Sequence, residues 1–95
     1  MMSTLNQDQI NSNLSKLTGW SFENNAIQKL FQFKDFIEAL SFVNAVAMES
    51  EKMDHHPDIL MFGWNKVKIT ISTHSAGGVT ELDFQLANKI EDRVK

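Results

Sequence analysis

The chain contains no cysteine. That removes disulfide frameworks, thiol nucleophiles and cysteine-ligated zinc centres from consideration. Proline occurs once and glycine four times, at points that read as turns rather than as domain boundaries. There is no basic run and the formal charge is −3, so nucleic acid is not an expected partner. No long apolar run occurs, and the opening stretch MMSTLNQDQINSNLSKL is too polar for a signal peptide. No membrane association and a cytoplasmic location are therefore expected. The phosphate-cradling motifs GxGxxG and GxxxxGKS/T, the HExxH zinc spacing and a recognisable nucleophile elbow are all missing.

What remains is an ordinary globular composition. With 95 residues, 42 % of them hydrophobic, the chain suits one domain over residues 1–95 built around a modest core. The pattern predicts seven elements. A helix over 5–17 has Thr4 as its N-cap and a stripe of Leu5, Ile10, Leu14 and Leu17. A hairpin follows, with Trp20 and Phe22 on its first strand, a tight turn at Asn24–Asn25 and a second strand over 27–33. The longest helix covers 34–53, with Phe36, Ile37, Leu40, Val43, Ala47 and Met48 as its inner face and Glu38, Ser41, Asn44 and Glu49 in water. It ends by His56, because Pro57 disfavours helical backbone before it.

A second hairpin has strands over 58–63 and 66–73, where Val67, Ile69 and Ile71 alternate with Lys68, Thr70 and Ser72. The last helix runs over 80–94, capped by Thr80 with Asp83 in the capping-box position, and turns Leu82, Leu86, Ala87, Ile90 and Val94 inward. The expected class is α+β: two layers, with a four-stranded antiparallel sheet and three helices on one face, in the order α-β-β-α-β-β-α.

All three histidines fall at the ends of the second hairpin. A turn at Asn65–Lys66 sets His74 opposite Pro57, and a turn one residue earlier sets it opposite His55. Directly opposed Cβ atoms are roughly 5 Å apart, so His55, His56 and His74 are expected to share one pocket. Glu51, one turn before His55, and Asp83, on the inner face of the last helix, are the carboxylates that could join them. Most of these residues also have a plainer role: the His55–His56 pair as a helix C-terminal cap, Asp83 as a cap, Glu51 as a surface charge, Trp20 as core, Gly77–Gly78 as a turn. Adjacent histidines diverge, which makes a three-histidine zinc site awkward, whereas imidazoles beside carboxylates suit proton transfer near neutral pH.

The segments DHHPD, NKVKITISTH and TELDFQLANKI, preceded by GWSFENNAIQKLFQFKDFIEALSFVNAVAMESEKM, resemble the pterin-4a-carbinolamine dehydratases from about Leu17 onward. The resemblance implies dehydration of 4a-hydroxytetrahydropterin to quinonoid dihydropterin after an aromatic amino-acid hydroxylase has used the pterin. It implies a pterin substrate, neither metal nor bound cofactor, and a homodimer joined at sheet edges that in some members becomes a tetramer. By position, His55, His56, His74 and Asp83 would be catalytic. Glu51, Asp54, His55, His56, Ser72, Thr73, His74 and Ser75 would bind the pterin. The chain departs from the family at Ile59, where some members carry an aromatic residue, and at Ser75, where many carry an acid. Three other readings are a partner-binding module, favoured by any apolar stripe on the long helix beyond what the core uses; a zinc hydrolase; and a dehydratase in another pterin pathway.

Overall fold

A computed structural model of the chain describes residues 3–94. Its first helix, α1 (Gln7–Leu14), is shorter than the periodicity suggests. Asn6 rather than Thr4 caps it, because Asn6 Oδ1 accepts from Gln9 N–H (2.8 Å) while Gln9 Oε1 accepts from Asn6 N–H (2.9 Å). That reciprocal pair satisfies two otherwise unpaired donors at once. Leu5 N–H is used elsewhere, donating to Val79 O at 2.9 Å and tying the start of the chain to the entry of the last helix.

Strands β1 (Ser21–Glu23) and β2 (Ala26–Gln32) form the first hairpin. Its turn is Asn24–Asn25, both with left-handed backbone (φ 53° and 59°), the conformation that matches the twist of a two-residue hairpin. Strands β3 (Asp58–Phe62) and β4 (Lys66–Ile71) form the second. The sheet order is β1-β2-β4-β3, antiparallel throughout. Ile27 and Phe31 of β2 pair with Ile71 and Val67 of β4, and Val67, Ile69 and Ile71 are fully buried. Ile10, Phe42, Val46, Phe84, Leu86 and Ile90 of the helices close over this face. Burying each such side chain is worth roughly 1.5–3 kcal/mol. The other face, with Lys66, Lys68 and Thr70, stays partly wet.

The second hairpin turns earlier than expected. Phe62 pairs with Lys66, so the loop is Gly63-Trp64-Asn65, with φ +57° at both Gly63 and Trp64. Asn65 explains the shift: it is buried, its Nδ2 donates to Phe33 O (2.9 Å), and its carbonyl accepts from Phe33 N–H (2.9 Å). These bonds continue the β2–β4 pairing one step beyond Gln32–Lys66, so Asn65 is held against β2 and the chain must reverse before it. In the resulting register Asp58 faces Thr70 and β4 ends at Ile71, so His74 stands opposite neither Pro57 nor His55.

Helix α2 (Phe36–Met53) starts after Asp35, whose Oδ1 accepts from Glu38 N–H at 2.8 Å. Its buried face is Ala39, Phe42, Val46, Glu49 and Ser50. The expected inner face is wrong by about a third of a turn. Phe36, Ile37, Leu40 and Met48 are 40–69 % exposed, Ala47 is also exposed and Val43 is half-buried. Two stripes on α2 have helical spacing, and the smaller residues Ala39 and Ser50 belong to the one that packs inward. Glu49, expected in water, is buried against Arg93, whose Nε lies 2.8 Å from Oε2. Helix α3 (Glu81–Asp92) buries Asp83, Phe84, Leu86, Ala87 and Ile90. It stops before Val94, which is exposed, and Leu82 is only half-buried.

Candidate active site

The histidine pair owes its arrangement to the way α2 stops. Asp54 takes a left-handed backbone (φ 50°). Its N–H donates to Glu51 O (3.2 Å), and His55 N–H donates to Ser50 O (3.1 Å). These two bonds form a Schellman closure, with aspartate where glycine is commoner. Pro57, lacking an N–H, then starts the path into β3. The closure leaves His55 buried and His56 exposed.

His55 Nε2 lies 2.6 Å from Oδ1 of Asp83. Asp83 is completely buried at the third position of α3. Its Oδ2 accepts from the Thr80 backbone N–H (2.8 Å) and from the Thr73 hydroxyl (2.9 Å). The hydroxyls of Thr73 and Thr80 are 2.7 Å apart, and Thr80 Oγ1 also accepts from Leu82 N–H at 3.2 Å. A carboxylate removed from water needs donors on both oxygens, and this one has them. Asp83 was legible as an inward-facing acid. Thr80 was legible only as a cap; its Thr-x-x-Asp spacing is the signal that it also touches the acid.

His56 makes a different pair. Its Nε2 lies 2.6 Å from Glu51 Oε2, with both side chains in water. Glu51 was expected to face His55. Because the helix ends at Met53 and Asp54 reverses the chain, His56 is the ring that returns to it. His74 begins a single 3-10 turn, His74–Ala76, and is exposed, with no side-chain hydrogen bond among the described residues. Its loop is closed by Thr73 N–H donating to Gly78 O at 2.9 Å. His74 is therefore covalently next to the threonine that holds Asp83, and Asp83 holds His55. Of the remaining expected substrate contacts, Asp54 and Ser75 are exposed, Ser72 is half-buried, and Thr73 is buried with its hydroxyl engaged.

This arrangement can donate and accept protons. Among the described residues, no three His, Cys, Asp or Glu side chains converge as a metal site requires. A cleft of about 500 Å³ lined by Phe31, Phe33, Phe42 and Arg93 lies beside the first half of α2 and includes none of the histidines.

Comparison with known proteins gives one consistent result. The model for the family described as pterin 4 alpha carbinolamine dehydratase matches residues 3–93. A protein of Sulfolobus acidocaldarius with the provisional name pterin-4-alpha-carbinolamine dehydratase is 46 % identical, over 90 % of this chain and 93 % of its own. A protein of Trichormus variabilis with the same provisional name is 47 % identical, over 95 % and 96 %. Among solved structures, a transcriptional coactivator/pterin dehydratase from Brucella melitensis superposes with a TM-score of 0.90 at 39 % identity, covering 95 % of this chain and 97 % of that one. A pterin dehydratase-like protein identified as a RuBisCO assembly factor in the alpha-carboxysome superposes with a TM-score of 0.61 at 26 % identity, over 77 % and 83 %. With a family match across nearly the whole sequence and a fold shared this closely, the chain belongs to the pterin 4 alpha carbinolamine dehydratase family, a family of hydro-lyases.

Proposed function

We propose that this chain dehydrates 4a-hydroxytetrahydropterin to quinonoid dihydropterin, returning the pterin used by an aromatic amino-acid hydroxylase in the cytoplasm. The observation that carries the reading is the buried His55–Asp83 pair, one residue removed through Thr73 from the exposed His74. The C4a–O bond breaks with its electron pair going to oxygen, which leaves as water after taking a proton from one imidazole. The N5–H proton goes to a second imidazole, and its bonding pair forms the C4a=N5 double bond. His55 and His74 serve as this acid–base pair, and such assistance is worth roughly 10²–10⁴-fold in rate. His56 orients the substrate with Glu51, and Asp54, Ser72 and Ser75 contribute contacts at the rim. The reaction as written requires neither metal nor cofactor, and the exposed apolar residues Ile59, Leu60 and Phe62 of edge strand β3 support a sheet-edge homodimer.

The test is dehydration of freshly generated 4a-hydroxytetrahydropterin, followed by ultraviolet absorbance, with wild type against His74→Ala. Acceleration by wild type alone is expected. No acceleration by folded wild type overturns the reading.

A second reading is favoured by one observation, the exposed apolar stripe Phe36, Ile37, Leu40 and Met48 on α2. Such a stripe suits a helical partner or a second pair of subunits, and the Brucella relative is described as a coactivator as well as a dehydratase. Ile37→Glu is then expected to lower the oligomeric mass in light scattering, or abolish partner capture, while dehydration continues.

A further inference from the structure

The hydrogen bonds around Asp83 have a direction that can be deduced. The Thr73 hydroxyl donates its single proton to Asp83 Oδ2, so in the 2.7 Å contact between hydroxyls Thr80 must be the donor and Thr73 the acceptor. Thr80 Oγ1 in turn accepts from Leu82 N–H, and Thr80 N–H donates to Asp83 Oδ2. Every proton in this chain therefore points toward Asp83. An ionised carboxylate only accepts, so the bond at Oδ1 requires the proton to sit on His55 Nε2. The opposite ring nitrogen has no hydrogen-bond partner among the described residues, yet it is not sealed in: the only fully buried, unpartnered side-chain nitrogen or oxygen among them is Asn65 Oδ1.

We propose that Thr73 and Thr80 are positioning residues that lock neutral His55 with its proton on Nε2, leaving Nδ1 as the nitrogen that accepts the proton from the substrate. His55 is then the base of the pair and His74 the acid. In this scheme the Thr73 hydroxyl acts through Asp83 rather than on the pterin, since it is engaged with Asp83, and the Thr73 N–H with Gly78 O. The kinetic part rests on the dehydratase reading, whereas the tautomer does not.

The experiment pairs ¹⁵N NMR of the neutral His55 ring with steady-state kinetics on wild type, Thr73→Val and Thr73→Ser. Thr80 is avoided because it also caps α3. Wild type is expected to show protonated Nε2 and bare Nδ1. Thr73→Val is expected to mix the two tautomers and lower kcat about tenfold, the scale of one hydrogen bond to a charged group, with KM changed less than about twofold. Thr73→Ser restores both readouts.

A wild-type ring protonated on Nδ1 overturns the proposal even if Thr73→Val fails to fold. So does a folded Thr73→Val with one tautomer and full kcat, a loss confined to KM, or a Thr73→Ser as impaired as Thr73→Val. If wild type shows no dehydration, the functional reading fails while the tautomer result still decides the role of the threonines.

Discussion

His55 and His56 are adjacent, and each ring lies 2.6 Å from a carboxylate oxygen, but their surroundings differ throughout. The His55 and Asp83 side chains are 10 % and 0 % exposed, while those of His56 and Glu51 are 58 % and 77 % exposed. The inner carboxylate has two further donors; the outer one has water. An exposed pair of this kind is typically worth about 0–1 kcal/mol, whereas stranding a buried hydrogen-bonding partner costs about 1–3 kcal/mol, and more where that partner is charged. Contact distance alone therefore says little about what a pair does. One left-handed residue, Asp54, sends one ring into the protein and leaves the next in water.

The largest effect expected from breaking the contrast is that of Asp83→Asn. An amide offers one acceptor where His55, Thr73 and the Thr80 N–H need two, and its NH₂ meets a donor. A loss of about 10²-fold or more in kcat is expected, together with about 2–4 kcal/mol of stability. The pterin assay and urea unfolding check both, and a near-wild-type kcat would erase the distinction between the two pairs. Asp54→Gly tests the corner. It should relieve the left-handed backbone and raise stability by about 1 kcal/mol; a simultaneous rise in KM identifies the Asp54 carboxylate as a substrate contact.

Glu51→Gln, the outer counterpart of Asp83→Asn, is expected to change stability by less than about 1 kcal/mol and to act on KM before kcat. The smallest effect is expected at Glu49, a third carboxylate pair without histidine. The Arg93 hydrogen bond holds the Glu49 carboxyl below the usual glutamate range against the opposing effect of burial, with Lys52 adding to the shift. A folded-state pKa below the unfolded one means stabilisation that is present above the unfolded value and lost as pH falls through the folded one. The difference in melting temperature between wild type and Glu49→Gln should therefore be present at neutral pH and fade in acid.

Much of this was legible in the sequence. Strand alternation in β4, the Asn24–Asn25 turn and Pro57 after the long helix are local signals, and local chemistry decided them. Asp83 could be read as inward because it shares a face with Leu86, Ala87 and Ile90. The face of α2 could not be chosen from spacing, since two stripes fit a helical period and packing against the sheet selects one. The hairpin register was missed because Asn65 is pinned by Phe33, more than thirty residues earlier. The partner of Glu51 was missed because it depends on a single φ at Asp54.

Asp83 caps the first turn of α3 with Oδ2 and holds His55 with Oδ1, so helix initiation and assembly of the base are one event. Local opening that frays that turn releases the imidazole before the core has melted. Catalytic activity on warming should therefore report the integrity of a single helical turn, and slow hydrogen exchange at the amide of Thr80 should disappear at the temperature where turnover does.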